Sequence, residues 1–251
     1  MSLAHLLVLR HFWVLRRHRP WTLIVNGVFE PFLYLMSIGF GIGALITVGP
    51  QGSAYAAFVA PALLATSAMN SAINETTGTF WFRLRFEKVY QAMLTTPIRV
   101  SDIAVGEVAS AMLRGAVAST CFLGVIVALG LVHSWWAILA VPGALLIAFA
   151  FAGAGVAVAT FLKGFHHHQY VQLFMLPMFL FATTFYPLSV YPVWLQWIVS
   201  GLPLYQSTEL LRGLCLGQLG PAVPVAVAYL VLLGLAGLQV ADRRLARLLL
   251  H

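Results

Sequence analysis

Charged residues are scarce in this sequence. They make up 8% of its 251 residues, whereas apolar types make up 61%. A soluble globular domain carries about 25% charged residues, so this chain has too little charge to cover a water-facing surface. The composition therefore predicts an integral membrane protein. The net charge of +7 is expected to reflect membrane topology, and no nucleic-acid partner is predicted.

Cysteine and lysine are also rare. Cys121 and Cys215 are the two cysteines, and two distant cysteines provide neither a disulfide framework nor a metal-binding spacing. A phosphate-binding P-loop needs Gly-Lys followed by Ser or Thr. The only lysines, Lys88 and Lys163, lack these neighbours, so any ATP hydrolysis is expected on another chain.

Long apolar runs dominate what remains. A membrane-spanning helix needs about 20 apolar residues, and six runs qualify: about 21–46, 55–73, 103–132, 135–162, 170–186 and 221–240. The stretch before the first run has its arginines after the apolar residues, which is not the pattern of a cleavable signal peptide. The sequence predicts an all-α polytopic protein with six transmembrane helices in one domain, residues 1–251.

Basic residues lie mainly on one side of these spans. Twelve of the fourteen Lys and Arg lie at the two ends of the chain, in residues 74–102 or, as Lys163, in the loop after the fourth span. By the positive-inside rule that side is cytoplasmic, with both termini inside. The exceptions are Arg114, within the third span, and Arg212, in the last outer segment.

The longest inner loop contains a helical pattern. Its apolar residues recur at positions i, i+3, i+4, i+7 and i+8, namely Phe86, Val89, Tyr90, Met93 and Leu94. Arg83 and Glu87 are spaced for an i, i+4 ion pair. The pattern predicts a short amphipathic helix, which either lies on the membrane surface or docks a soluble partner.

Three consecutive histidines, His166, His167 and His168, follow the fourth span. The topology places them in a short cytoplasmic loop. Consecutive helical residues point about 100° apart, so three of them cannot all face one ion. A solvated, membrane-flanking loop without a metal site is therefore predicted, with a metal or pH-sensing role as the alternative.

The outer segment after the fifth span, residues 187–213, is apolar but is interrupted by prolines. Its apolar stretch around Trp194 and Trp197 is too short to cross a bilayer and is typical of a re-entrant or interfacial helix. Glu209 and Arg212 are spaced i and i+3 and are expected to brace this segment.

Ionisable residues inside the spans are expected to pair or to line a pathway. Glu30 and Arg114 lie at similar depth from the cytoplasmic side, so a Glu30–Arg114 ion pair is predicted, with a part in gating or substrate contact as the alternative. Glu107 shares a helical face with Arg114 and is a rival partner.

Four stretches resemble the permease subunits of type-2 ABC exporters, especially the nodulation-factor and daunorubicin-resistance branch. They are FEPFLYLMSIGFGIGAL at 29–45, the run at 60–98 that includes FRLRFEKVYQAMLTTPI, LPMFLFATTFYPLSVYPVWLQWIVSGLPL at 176–204 and STELLRG at 207–213. Their order and spacing fit nearly the whole chain. In this chain Ala182-Thr183-Thr184 stands where the family has a small Ser-Gly type pair.

The resemblance implies an interfacial helix at residues 1–19, a coupling helix within 80–96 and a re-entrant hairpin after the fifth span. It also implies a second permease copy, identical or related, and two ABC ATPase subunits that bind ATP and Mg²⁺. Glu75 resembles a family position near the coupling helix. The residues expected to couple to the ATPase are Arg83, Arg85, Phe86, Glu87, Tyr90 and Met93.

The predicted function is outward transport of an amphipathic substrate across a bacterial cytoplasmic membrane. The substrate would be a lipid-linked glycan, a lipo-oligosaccharide or an apolar drug. Two other classes stay open. An intramembrane enzyme using the histidines would need a paired nucleophile and base within the spans. An ion-coupled transporter would need intramembrane carboxylates, of which Glu30 beside Arg114 is a poor example.

Overall fold

The computed structural model describes residues 29–45, 55–87, 89–164 and 166–249, and its regular structure in these ranges is helical throughout, with no strand. The all-α class is therefore confirmed for the described part of the chain. The interfacial helix predicted at residues 1–19 lies outside these ranges, as do the beginning and the last residue of the first predicted span.

The helices follow one another along the chain as α1 (Glu30–Leu45), α2 (Tyr55–Arg85), α3 (Val89–Met93), α4 (Val100–Ala128), α5 (Ala140–Phe161), α6 (His166–Phe181), α7 (Val193–Ser200), α8 (Pro203–Leu216) and α9 (Ala222–Leu249). Within α2, residues Asn74–Phe80 form a π-helix, here called the π segment. Short 3-10 helices occupy Trp135–Leu139 and Leu188–Val190.

Four of the described helices are long and apolar enough to cross a membrane: α2, α4, α9 and the helix Trp135–Phe161 that includes α5. Their length and composition are those of a polytopic membrane protein. The described helices of the first and fifth predicted spans, α1 and α6, have 16 residues each. Six spans therefore stay a prediction.

Helix bounds differ from the predicted spans mostly at one end of the molecule, the end that the sequence predicts to be cytoplasmic. α2 continues past Ile73 to Arg85, and α9 continues past Val240 to Leu249. α6 begins at His166, so the three histidines form its first turn instead of a loop. An apolar run marks only the part of a helix that lipid surrounds, whereas the backbone can stay helical beyond the bilayer.

The central element is α2, which packs against α1, α4, α5 and α8. Most of its side chains between Tyr55 and Ile73 are buried. This position brings the π segment against α4 and α5, close to the buried carboxylates Glu75 and Glu107.

Glycines allow α5 and α9 to cross closely. An added Cβ at Gly153 would meet the backbone of Gly234, and one at Gly237 would meet the backbone of Gly153. Small residues at a crossing let two membrane helices approach until their backbones touch. This contact fixes α9 against the body of the protein.

Candidate functional site

The π segment presents a buried carboxylate to two arginines. Glu75 is 5% exposed. Its Oε2 lies 3.2 Å from Nη1 of Arg114 on α4, and its Oε1 lies 3.9 Å from Nη1 of Arg83 at the inner end of α2. Inside the π segment the hydroxyls of Thr76 and Thr77 donate to the carbonyls of Ala72 and Ile73, each at 2.8 Å. Short π-helices of this kind are frequent at functional sites.

A second buried carboxylate continues the line towards α3. Glu107 on α4 accepts hydrogen bonds from Arg83 Nη1 at 3.4 Å and from the Tyr90 hydroxyl at 2.6 Å. Tyr90 is 1% exposed. Burial, and then the charge of Glu107, raise the pKa of Tyr90, so its hydroxyl stays protonated and remains a donor to the carboxylate.

Together these side chains form a continuous line of ionic and hydrogen-bonding contacts, which we call the charge chain: Arg114, Glu75, Arg83, Glu107 and Tyr90. Its two arginines and two glutamates balance in charge. Low local polarity strengthens such contacts and makes the loss of any one member costly. The charge chain joins the middle of α4 to the short helix α3.

The surface beside α3 is aromatic and exposed. Phe82 and Phe86 stack with their ring centroids 5.1 Å apart, and both are largely exposed. Arg85 and Glu87 flank them and are also exposed. We call Phe82, Arg85, Phe86 and Glu87 the inner face.

A cavity of about 250 Å³ opens between α1, α2 and α6, and we call it the groove. Four of its lining side chains are polar: Thr66, Ser67, Asn70 and Gln172. The rest are apolar, including Tyr34 of α1 and Phe179 of α6, whose ring centroids lie 6.0 Å apart. The groove is therefore amphipathic.

A buried arginine ties the outer segment to α6 and α2. Arg212 of α8 is 3% exposed. Its Nη1 donates to Glu209 at 2.8 Å, and its Nη2 donates to the carbonyl of Thr183 at 2.9 Å. Its guanidinium carbon lies 3.8 Å from the centroid of the Phe58 ring, a cation–π contact.

Thr183 follows the end of α6 and has a φ of 57°. This left-handed conformation is rare for a β-branched residue and is typical of functional or switching sites. The bond from Arg212 holds the carbonyl of Thr183 in place. The junction between α6 and the outer segment thus combines a strained residue with a buried charge.

The sequence matches a family model. The model is described as "ABC-2 type transporter" and aligns with residues 4–216, which is most of the chain. The chain belongs to the ABC-2 type transporter family. It is a membrane permease of an ABC exporter rather than an enzyme, and members of this family normally work with an ABC ATPase subunit.

Curated relatives of this transporter share one name, "Nodulation protein J". The protein from Rhizobium leguminosarum bv. viciae is 32% identical over 231 residues, which cover 89% of this chain and 88% of the relative. The protein from Sinorhizobium fredii is 32% identical over 209 residues, 82% of this chain and 79% of the relative. The protein from Neorhizobium galegae is 29% identical over 245 residues, 95% and 92% respectively. The resemblance predicted from the four stretches is confirmed.

The structure of the ABC-2 transporter describes the contacts of two of the three predicted intramembrane charges, Arg114 and Glu107. The described ion pair of Arg114 is with Glu75, and Glu107 binds Arg83 and Tyr90. The side chain of Glu30 lies outside the described part of the structure, so a Glu30–Arg114 contact stays a prediction. Depth along two helices gives no information on their rotation, which decides the partner.

The predicted coupling residues of the transporter divide into two groups. Arg85, Phe86 and Glu87 are exposed, whereas Tyr90 is buried and Met93 is half-buried. The predicted continuous helix is interrupted, because Phe86 and Glu87 lie in a turn and α3 spans only Val89–Met93. The turn separates Phe86 from Tyr90, although the periodicity placed them on one helical face.

The partners of Arg83 also differ from the predicted one. The i, i+4 spacing predicted a pair with Glu87, whereas the structure brings Arg83 to Glu107 and Glu75. Phe82 was not predicted as a site residue. The signal that could have found it is the continuation of α2 beyond the apolar run.

The histidines of the transporter lie at the inner end of α6. Nδ1 of His168 is 3.2 Å from the Thr77 hydroxyl, and the rings of His167 and Tyr170 meet edge to face at 5.8 Å. Within the described residues no three His, Cys, Asp or Glu side chains converge to hold a metal ion. A metal or pH role for the histidines stays open.

The outer segment consists of α7 and α8, joined by a turn at Gly201. Trp194 and Trp197 on α7 are both well exposed. Exposed tryptophans on a short apolar helix favour a position at the membrane–water interface. Glu209 and Arg212 form the ion pair already described, with Nη1 and Oε1 2.8 Å apart.

Proposed function

We propose that this permease moves an amphipathic substrate outward across the cytoplasmic membrane of a bacterium, driven by ATP that two separate ABC ATPase subunits hydrolyse with Mg²⁺. The observation that carries the proposal is the charge chain. It runs from Arg83, which follows Phe82 of the inner face in the sequence, to Arg114 in the middle of α4.

The inner face is the proposed docking site for the ATPase. Phe82 and Phe86 are large apolar side chains exposed at the end of a membrane helix, with charged neighbours in Arg85 and Glu87. Interface energy concentrates in such aromatic anchors. The positive-inside rule puts this face in the cytoplasm together with both termini, where an ATPase can reach it.

The charge chain is the proposed route of transmission. A displacement of the turn at Phe86 and Glu87 shifts α3, and with it the Tyr90 hydroxyl that binds Glu107. Because Glu107 and Glu75 both contact Arg83, the shift reaches the π segment and Arg114. Packed ionic networks with two discrete arrangements are a physical means of coupling distant sites.

The groove is the proposed substrate path. Its polar side chains suit a hydroxyl-rich head, and its apolar wall suits an acyl chain or an aromatic system. Lipid-linked glycans, lipo-oligosaccharides and apolar drugs all combine these two features. A second permease copy, identical or related, would face the groove and complete a central path.

Replacing Phe82 and Phe86 together with Ser should weaken binding of the ATPase while leaving the permease inserted and folded. A hot-spot aromatic contributes on the order of 2 kcal/mol, which is more than tenfold in affinity. Copurification of the ATPase from detergent measures the effect. Tyr90 is unsuitable for this test because it is buried and binds Glu107.

The control for that experiment is Trp135→Ser, which removes an aromatic side chain that is 90% exposed at the other end of the molecule. The control chain should recover the ATPase normally. Full recovery of ATPase by the Phe82→Ser, Phe86→Ser chain, with normal transport-coupled hydrolysis, would contradict the proposed docking site.

A further inference from the structure

Helix α6 is loosely held along its length. Of its side chains, all within the described residues, only that of Met178 is buried. Its inner end nevertheless makes two side-chain contacts with the π segment. Nε2 of Gln172 donates to Oδ1 of Asn74 at 2.8 Å, and the hydroxyl of Thr77 lies 3.2 Å from Nδ1 of His168.

These two contacts lie at the inner mouth of the groove. Gln172 lines the groove and also binds Asn74, and Asn70 lines it one helical turn before Asn74 on α2. At the opposite end of α6 the bond from Arg212 to Thr183 holds the helix to the outer segment. Between the two ends Val171, Met175 and Phe179 are only partly buried against the core, so the polar contacts contribute much of what holds α6 against α2.

The π segment takes part in two sets of contacts. Its residue Glu75 belongs to the charge chain, while Asn74 and Thr77 hold α6. These three residues lie within four consecutive positions of the π segment, about one turn, and a π turn contains one more residue than the α turn it replaces. A change in the winding of this turn therefore moves Glu75 and both α6 contacts together.

We infer that the π segment positions α6 and releases it during transport, with Asn74 and Thr77 as the positioning residues. Movement of Arg83 and Glu75 rewinds the π segment, breaks the contacts to Gln172 and His168, and opens the inner mouth of the groove to the substrate. The inference rests on the proposed function. It adds a second branch to the charge chain, from Glu75 to α6.

The contacts are suited to repeated breaking. The Gln172–Asn74 bond joins two neutral side chains, and Gln172 is exposed. Exposed amide groups exchange a protein partner for water with little change in free energy. The ion pairs of Glu75 are buried and stay with the π segment as it moves.

A reversible cross-link tests the inference. The chain carries Asn74→Cys with Gln172→Cys in a background of Cys121→Ala and Cys215→Ala, and it is reconstituted with the ATPase in lipid vesicles. A bifunctional methanethiosulfonate reagent joins the two thiols, and dithiothreitol separates them. We expect ATP-driven transport of a fluorescent lipo-oligosaccharide to fall about tenfold or more on cross-linking, because a closed mouth blocks each turnover, and to return after reduction.

Two controls isolate the effect. Asn74→Cys alone should show the same transport rate with and without the reagent, whatever that rate is relative to the native chain, and the cross-linked complex should keep its bound ATPase. Thr77→Val, which removes the hydroxyl near His168, should raise substrate-independent ATPase activity, whereas Thr77→Ser, which keeps it, should not. The comparison of Thr77→Val with Thr77→Ser tests the inference by itself if the double-cysteine chain is not recovered in the membrane.

Unchanged transport by the cross-linked complex would overturn the inference and leave the proposed function standing. Equal ATPase activities for Thr77→Val and Thr77→Ser would also count against it. If the parent chain shows no ATP-driven transport before any cross-linking, the proposed function falls and this inference falls with it.

Discussion

Glu75→Gln is expected to destabilise the permease by about 3 kcal/mol, which is the scale for removing one partner from a buried ion pair. The change leaves Arg114 without its carboxylate and weakens the hold on Arg83. Thermal unfolding of the purified protein in detergent measures the loss. Coupling of ATP hydrolysis to transport should fall as well, because Glu75 joins the two halves of the charge chain.

A double-mutant cycle identifies the partner of Arg114. Glu75→Gln combined with Arg114→Met should cost less than the sum of the single changes, because contacting residues are non-additive. Glu87→Gln is the matched control, since Glu87 lies near the same segment but is exposed. The cycle of Glu30→Gln with Arg114→Met tests the remaining sequence-based pair. Strict additivity for Glu75 with Arg114 would contradict the charge chain.

Arg212→Met should be about as damaging, at roughly 3 kcal/mol, because it removes a buried charge that other groups depend on. The carbonyl of Thr183 loses its donor, and the ring of Phe58 loses its cation–π contact. The outer end of α6 then lacks its hydrogen bond to the outer segment. Unfolding midpoints in detergent report the stability. Transport should fall further than stability alone explains, because α6 forms one wall of the groove.

Glu209→Gln provides the comparison for this second change. Glu209 is paired with Arg212, but its side chain is 28% exposed. Water can therefore replace part of the lost ion pair, and the loss of stability should be smaller than for Arg212→Met. Arg212→Lys should also fall short of the native chain, since an ammonium group cannot match the planar fork that reaches Glu209 and Thr183 at once. Equal stability of Arg212→Met and the native chain would show that the buried contacts contribute nothing.

Much of the fold follows from hydropathy. The runs at 55–73, 103–132, 135–162 and 221–240 each correspond to a long helix, because a peptide backbone in lipid must satisfy its own hydrogen bonds. The C-terminal ends of α2 and α9 do not follow from hydropathy. Water tolerates helix and loop alike, so a hydropathy pattern ends at the bilayer while the helix itself continues to Arg85 or Leu249.

The site was predictable only in part. Arg114 and Glu107 could be selected because ionisable groups within the spans need partners. Tyr90 was indicated by the apolar periodicity of the inner loop and Glu75 by the family resemblance. Which of them pair depends on helix rotation. The π segment changes that rotation by an inserted residue that no periodicity in the sequence reveals. The contacts of Asn74 and Thr77 with α6 could not be predicted for the same reason, since they depend on the rotation that the π segment introduces.

ATP-dependent movement of substrate in a defined system tests the proposed function most directly. The permease is reconstituted in vesicles with its ABC ATPase, and uptake of a fluorescent lipo-oligosaccharide from the ATPase side is followed over time. We expect accumulation inside the vesicles with ATP and Mg²⁺, and none when the P-loop lysine of the ATPase is replaced. Accumulation that persists with the disabled ATPase and follows an ion gradient, or chemical conversion of the substrate by the permease alone, would contradict the proposed function.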